Sequence, residues 1–505
     1  MEEFNSLMSN LYLGLTVAMT LNNLMYCLIG CLLGTLIGVL PGIGPIATIA
    51  MLLPATFTIG DPTASLIMLA GIYYGAQYGG STTAILVNIP GESSSVVTAL
   101  DGYQMARQGR AGVALATAAL GSFFAGCVAT FLLAAAAPPL AQIAFKFGPW
   151  EYFSLMVLGL IAAVVLAHGS VIKAIGMIIL GLLLGLVGTD VNSGLARFNF
   201  SIPELSDGIG FVCIAMGVFG FAEIIKNLEQ GEEREVFTSK VTSLLPTMQD
   251  VKDSWGAVVR GTSLGSLLGI LPGGGAVLAS FSAYTLEKKL AKDASKFGKG
   301  DIRGVAAPEA ANNAAAQTSF IPLLTLGIPP NPVMALMVGA MIIQGIQPGP
   351  QVMAERPQLF WGMIVSMWIG NLMLVILNLP LIGIWIRLLK VPYRLLYPAI
   401  LVFCCIGVYS LSNSPFDVVI TAVFGFLGYL FVKLECEPAP LLLGFILGPM
   451  MEEHLRRAML LGRGDATQFF TRPLSATLLA ISLLLLIVIA LPAIRKKRDE
   501  AFVED

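Results

Sequence analysis

Between Gly112 and Pro139 the chain runs for 28 residues without one charged side chain. A helix needs only about 20 apolar residues to cross a bilayer. Comparable apolar stretches lie near 63–87, 150–168, 171–188 and 208–225, and again near 304–327, 358–386, 395–411, 416–433 and 473–494. Three more, 22–57, 255–286 and 437–451, are apolar but broken or short. Of the 505 residues 56% are apolar and only 12% charged, where a soluble domain carries roughly 25% charged residues. A water-soluble fold of this size has too little interior for so much apolar surface. The expectation is an all-α polytopic membrane protein of about 10–12 spans.

The same residues exclude several functions. No basic stripe interleaved with aromatics points to nucleic acid, and the net charge of −2 says nothing about partners. The seven cysteines form no CxxC pair and mostly sit inside apolar runs, as small core residues do. His168 and His454 are the only histidines, too few for a histidine metal centre. No HExxH or Ser/His/Asp arrangement suggests an enzyme, and no cofactor is expected. The Met-Glu-Glu start lacks the basic region of a cleavable signal peptide.

Charge is concentrated in the middle. Residues 226–303 carry 20 of the 60 charged side chains, beginning with KNLEQGEEREVFTSK. This divides the chain into a first membrane half (1–225), a polar cytoplasmic linker (226–260), a second membrane half (261–494) and a cytoplasmic tail (495–505).

The two halves resemble each other. Gly34–Pro45 reads GTLIGVLPGIGP and Gly265–Ala276 reads GSLLGILPGGGA, with seven of twelve positions identical. A second pair follows: NIPG at 88–91 after GGSTT, and GIPP at 327–330 after NNAAAQTS. The first pair is offset by 231 residues and the second by 239, so eight residues were inserted where the second half carries its basic loop. Two motifs repeated in one order mark an internal duplication.

Positive charge gives the orientation, because cytoplasmic loops accumulate Lys and Arg. Loop 286–303 holds Lys288, Lys289, Lys292, Lys296, Lys299 and Arg303, whereas its counterpart TIGDP (58–62) holds no base. One step further along, the first half carries Arg107 and Arg110 and the second only Arg356. The bias runs in opposite senses, as inverted-topology repeats require, and these are a common transporter architecture. The basic RKKR at 495–498 fits a cytoplasmic C-terminus, while loop 452–472 is not assigned a side.

The first motif pair breaks helices. Pro41, Gly42, Gly44 and Pro45 cannot continue a helix, yet the flanks are too short to span separately, so each break falls at membrane depth in a re-entrant or broken hairpin. Irregular backbone there must be buried in protein or line a wet cavity. Helix N-termini at such a break can hold an anion, and carbonyls a cation. Pro272, Gly273, Gly274 and Gly275 offer the same device. A lone GxxxG such as Gly34/Gly38 serves close packing; the duplicated breaks are read as binding elements.

The second motif pair adds side chains. Ser81, Thr82, Thr83 and Asn88 precede Pro90 and Gly91, with Ser93 and Ser94 just after. Asn312, Asn313, Gln317, Thr318 and Ser319, before Pro329, are read as their counterparts. Neutral hydroxyls and amides can bind a carboxylate or sodium without a buried charge, or can bond their own helix backbone. Glu92, Asp101, Glu309 and Asp417 can carry a proton or help bind sodium, Glu309 foremost; Asp101 and Asp417 are expected to be solvated loop ends. Arg107 and Arg110 are read as topology determinants.

At these residues the sequence resembles the large membrane subunit of the tripartite tricarboxylate transporter family. The resemblance rests on residues 34–45, on YYGAQYGGSTTAILVNIPGESSSVVTALDGYQMARQGRAG (73–112), on LGSLLGILPGGG (264–275), on PEAANNAAAQTSFIPLLTLGIPPNPVMALMVGAMIIQGIQPGP (308–350) and on LGFILGPMMEEHLRRAM (443–459). It implies a permease of the bacterial inner membrane that works with a small membrane subunit and a periplasmic solute-binding protein delivering a carboxylate. It also implies a sodium or proton gradient as the energy source, and the P-loop pattern of an ATPase is absent from the sequence. A passive channel, a scaffold subunit of a membrane complex and an intramembrane enzyme remain as alternatives.

Overall fold

The computed structural model describes residues 2–40, 44–88, 90–166, 170–190, 193–230, 244–271, 275–388 and 393–490. The regular structure of these residues is helical apart from one two-residue antiparallel pairing, Gly188–Thr189 with Ala196–Arg197. The first half contains α1 (Glu2–Ala18), α2 (Leu21–Val39), α3 (Gly44–Phe57), α4 (Pro62–Val87), α5 (Val96–Met105), α6 (Ala111–Ala144), α7 (Pro149–Leu166) and α8 (Val171–Gly185). It closes with α9 (Phe211–Ala215) and α10 (Ala222–Gln230), joined through a π-type stretch.

The second half begins with α11 (Met248–Ile270), α12 (Gly275–Leu290), α13 (Arg303–Thr318), α14 (Phe320–Leu326), α15 (Pro332–Ile343), α16 (Gln351–Glu355) and α17 (Pro357–Asn378). It ends with α18 (Ile382–Leu388), α19 (Tyr393–Ser412), α20 (Pro415–Lys433), α21 (Ala439–Leu461), α22 (Gln468–Thr471) and α23 (Pro473–Ala490). Among the described residues five helices are long and apolar enough to cross a membrane by length and composition, and six shorter apolar helices accompany them. Large apolar side chains face outward on the late helices, with Phe403 73% and Leu483 59% exposed. Lipid covers such a surface; water would not. The protein is an all-α, multi-pass membrane protein.

Element ends follow readable local chemistry. Asp61 caps α4 by accepting from the Thr63 amide, with Pro62 at the first helical position. Asn331 does the same for α15, ahead of Pro332. Thr247 and Asp250 form a reciprocal capping box at the start of α11. The 226–260 linker is therefore partly helical: α10 occupies its start and α11 its end, and residue 261 lies inside α11. Residues 231–243 are outside the described residues.

One expected interruption is continuous. The short 437–451 stretch and the start of loop 452–472 form a single helix, α21, that passes through Pro449. Ion pairs at i,i+4 spacing, Glu452–Arg456 at 2.6 Å and Glu453–Arg457 at 2.6 Å, support its polar end.

The duplication is visible in packing. Gly30, Gly34 and Gly38 of α2 lie against the backbones of Met68, Ile72 and Ala76 in α4, where a Cβ on any of the three would strike a carbonyl oxygen. Gly261, Gly265 and Gly269 of α11 meet Ala307, Ala311 and Ala315 of α13 in the same way. Shifts of 231 and 239 residues carry one set onto the other. Each half thus holds a hairpin (α2–α3, then α11–α12) whose first helix is zipped to a long buried helix, α4 or α13.

Candidate functional site

The helices α4 and α13 are buried along nearly their whole lengths, from Ala64 to Val87 and from Gly304 to Thr318. For α4 a largely apolar surface explains most of that, with Gln77, Ser81, Thr82 and Thr83 as buried exceptions. For α13 it does not, since Glu309, Asn312, Asn313, Gln317 and Thr318 are all fully buried. Its alanines let neighbours approach closely, and its polar groups need partners from those neighbours.

The partners come from the first half. Ser81 on α4 donates to Glu309 Oε2 at 2.5 Å, and Thr98 on α5 donates to Glu309 Oε1 at 2.5 Å. Asn312 Nδ2 donates to Glu92 Oε1 at 2.9 Å. The Ser94 hydroxyl lies 2.9 Å from Asn312 Oδ1 and 3.0 Å from Gln77 Oε1, and also touches the Glu92 carboxylate. On the other side of α13, Asn313 Nδ2 donates to Ser122 Oγ at 2.7 Å and to the Glu309 carbonyl at 3.1 Å. Two carboxylates, one from each half, are thereby held by hydroxyls and amides at the junction of the halves. Among the described residues no base touches either one.

A second cross-half contact anchors the basic loop. Asp101 Oδ1 accepts from the amides of Gly298, Gly300 and Asp301 at 2.8–2.9 Å, and Oδ2 accepts from the Tyr284 hydroxyl at 2.9 Å. Asp101 is fully buried, so it is not the solvated loop end expected of it. Three converging amides form a nest around its Oδ1. Asp417 does sit at a helix start, accepting from Ser412. Arg110 pairs with Asp250 at 2.5 Å, and Gln108 donates to the Lys299 carbonyl at 2.8 Å. Segment 101–110 of the first half therefore meets the start of α11 and the loop between α12 and α13. Reciprocally, Gln344 of the second half reaches the Thr56 carbonyl and Ser65, on either side of the loop between α3 and α4, at 3.4 Å each.

A model of the tripartite tricarboxylate transporter TctA family matches residues 24–443. The chain belongs to the tripartite tricarboxylate transporter TctA family. An uncharacterized 52.8 kDa protein from the TAR-I ttuC' 3' region of Agrobacterium vitis is 64% identical over 499 residues, 99% of each chain. An uncharacterized protein from the TAR-II ttuC' 3' region of the same organism is 65% identical over 241 residues, 48% of this chain and 100% of that protein. No solved structure matches. TctA chains are transporter subunits, which points away from an enzyme, and the word tripartite implies partner subunits.

Of the site residues expected in this TctA chain, Ser81, Ser94, Glu309, Asn312 and Asn313 come together in the junction. Thr82 lies one residue along and bonds the Tyr78 carbonyl at 3.5 Å. Thr83 points the other way, donating to the carbonyls of Gly38 and Val39 at 3.1 and 3.3 Å. It satisfies the end of α2 at the first break. Asn88 is exposed and serves as a left-handed C-cap of α4, with φ 58°; Gly327 is the matching cap of α14, with φ 75°. Ser93 is exposed, and Pro90 is half-buried outside the network. Gly91 packs against the Gly38 carbonyl, while Pro329 is buried. Thr318 and Ser319 bond carbonyls of their own helix. Gln317 is fully buried, with no side-chain partner among the described residues. Gly44 and Gly275 start α3 and α12 with φ 63° and 52°, whereas Pro41, Gly42, Pro272, Gly273 and Gly274 lie outside the described residues.

The two polar clusters are not copies of one another. A shift of 239 residues places Asn312–Ser319 on Tyr73–Gly80, and Ser81–Thr83 on Phe320–Pro322. The expected counterparts are thus displaced by more than two helical turns, and each half contributes different chemistry to the junction. Thr98, Gln77 and Ser122 were not expected. Ser122 had a signal, as one of the few hydroxyls within the uncharged 112–139 run.

Proposed function

We propose that this chain is the large permease subunit of a secondary transporter that imports di- and tricarboxylates across a bacterial inner membrane. A periplasmic solute-binding protein delivers the substrate, a small membrane subunit completes the complex, and a sodium or proton gradient drives uptake. The halves are inverted repeats whose relative movement exposes the junction alternately to the two sides. The C-terminus and the basic loop 286–303 are cytoplasmic.

One observation carries this reading: Glu309 from one half and Glu92 from the other lie buried at the interface, held by Ser81, Thr98, Ser94 and Asn312. Ionisable groups are costly inside a membrane and persist on ion or substrate pathways. Neutral donors beside them can take a substrate carboxylate once the halves part. The reciprocal contacts of the α3–α4 and α12–α13 loops with the opposite half support the inversion.

The test is uptake of labelled di- and tricarboxylates into proteoliposomes holding both membrane subunits and the binding protein, with sodium and pH gradients set independently. Accumulation above the outside concentration, dependent on one gradient and on the binding protein, is expected. Downhill leak alone would instead identify a passive channel.

A further inference from the structure

A small cavity of about 10 Å³ lies between α4, α6 and α17, lined by Tyr78, Ser81, Thr82, Ser122 and Asn378 among others. It has room for about one water-sized occupant. Apart from the Tyr78 hydroxyl, the lining presents lone pairs rather than protons. Ser81 donates to Glu309, Thr82 to the Tyr78 carbonyl and Ser122 to the Glu309 carbonyl. Asn378 Nδ2 bonds the Leu374 carbonyl at 3.0 Å and Thr35 Oγ1 at 3.3 Å, which fixes the amide's orientation and leaves its Oδ1 without a partner. The Tyr78 hydroxyl also has none, and both residues are more than nine-tenths buried. A water could accept from the Tyr78 hydroxyl but donate only two protons to the other oxygens. A cation could accept from all of them, with Glu309 one hydrogen bond away through Ser81 to balance its charge.

We propose that this cavity is a binding site for one dehydrated sodium ion, ligated by the oxygens of Ser81, Thr82, Ser122, Asn378 and Tyr78. It rests on the reading of the chain as an ion-driven transporter and names where the ion sits. Sodium, with no requirement for a charged ligand in direct contact, suits neutral hydroxyl and amide oxygens of this kind.

The test is binding of radioactive sodium to the purified full-length chain in detergent, with choline maintaining ionic strength. Wild type should bind saturably. Asn378→Leu and Thr82→Val should each weaken binding about tenfold or more, equivalent to about 1.4 kcal/mol. Thr82→Ser, which keeps the oxygen, should bind like wild type, and equal melting temperatures without sodium should show that the variants are folded. Absence of saturable binding by wild type, or unchanged affinity in both Asn378→Leu and Thr82→Val, overturns the site and leaves only a trapped water. Uptake driven by a proton gradient with no sodium binding sinks the sodium site but not the transporter. Sodium binding without uptake under any gradient does the reverse.

Discussion

Ser81 and Glu309, 228 residues apart in sequence, meet in a buried 2.5 Å hydrogen bond that ties the first half of the chain to the second. Thr98 closes on the other carboxylate oxygen. Removing one hydroxyl leaves the carboxylate with one donor instead of two. A hydrogen bond to a charged group contributes about 1.5–3 kcal/mol. Ser81→Ala and Thr98→Ala should therefore each reduce carboxylate uptake about tenfold or more, while Thr98→Ser stays near wild type; initial uptake rates in proteoliposomes check this.

The glycine stripes make a packing prediction. A side chain at Gly34 or Gly265 strikes the backbone of α4 or α13, and backbone cannot swing aside as a side chain can. Overpacking of this kind costs about 1–3 kcal/mol. Gly34→Val and Gly265→Val should each lower the melting temperature in detergent. Because the stripes belong to separate interfaces, the double variant should show close to the summed loss.

Gly44 calls for a different outcome. It has open space around a notional Cβ but a φ of 63°, so only the backbone resists substitution. Left-handed geometry costs an L-residue about 1–2 kcal/mol, and asparagine tolerates it best. Gly44→Asn should melt closer to wild type than Gly44→Val, measured by thermal unfolding in detergent.

Asp101 accepts four hydrogen bonds from the second half. Asp101→Ala leaves three loop amides without their acceptor, and the loop around Gly298–Asp301 should open. Hydrogen exchange of residues 296–302 should then accelerate about tenfold or more. Tyr284→Phe removes one donor and should change it far less.

Much of this fold was legible in the sequence, and the reason is physical. A bilayer allows few ways to satisfy backbone groups, so apolar runs such as 112–139 became helices with bounds close to those expected. The motif offset of 231 residues placed Gly34 and Gly38 on Gly265 and Gly269, and both pairs pack closely as a GxxxG was read to do, but the backbones they meet were not legible. The site was only partly legible. Glu309, Ser81 and Asn312 stood out as polar residues beside duplicated breaks. Thr98, Gln77 and Ser122 did not, because their importance lies in which helix they face. Asp101 misled for the same reason: at the sequence level nothing tells a solvated carboxylate from one buried by a loop nearly 200 residues away. The short stretch 437–451 was read as ending before a loop at 452–472, yet α21 runs through Pro449 into that loop with ion pairs supporting the next turns.

The inversion of the halves predicts opposite exposure of the α3–α4 and α12–α13 loops. Gly60→Cys and Lys296→Cys should react with a membrane-impermeant thiol reagent from opposite sides in oriented vesicles. Labelling of both from one side would remove the inverted arrangement.

The central claim is that the buried carboxylate at the junction carries transport. The most direct measurement is ion-driven uptake by the reconstituted complex carrying Glu309→Gln, a change that keeps size and one accepting oxygen but puts an NH2 group in place of the other and removes the charge. Uptake lowered about a hundredfold, with the protein folded and inserted as in wild type, is the predicted result. Uptake at the wild-type rate, with the same dependence on the driving ion, would contradict it.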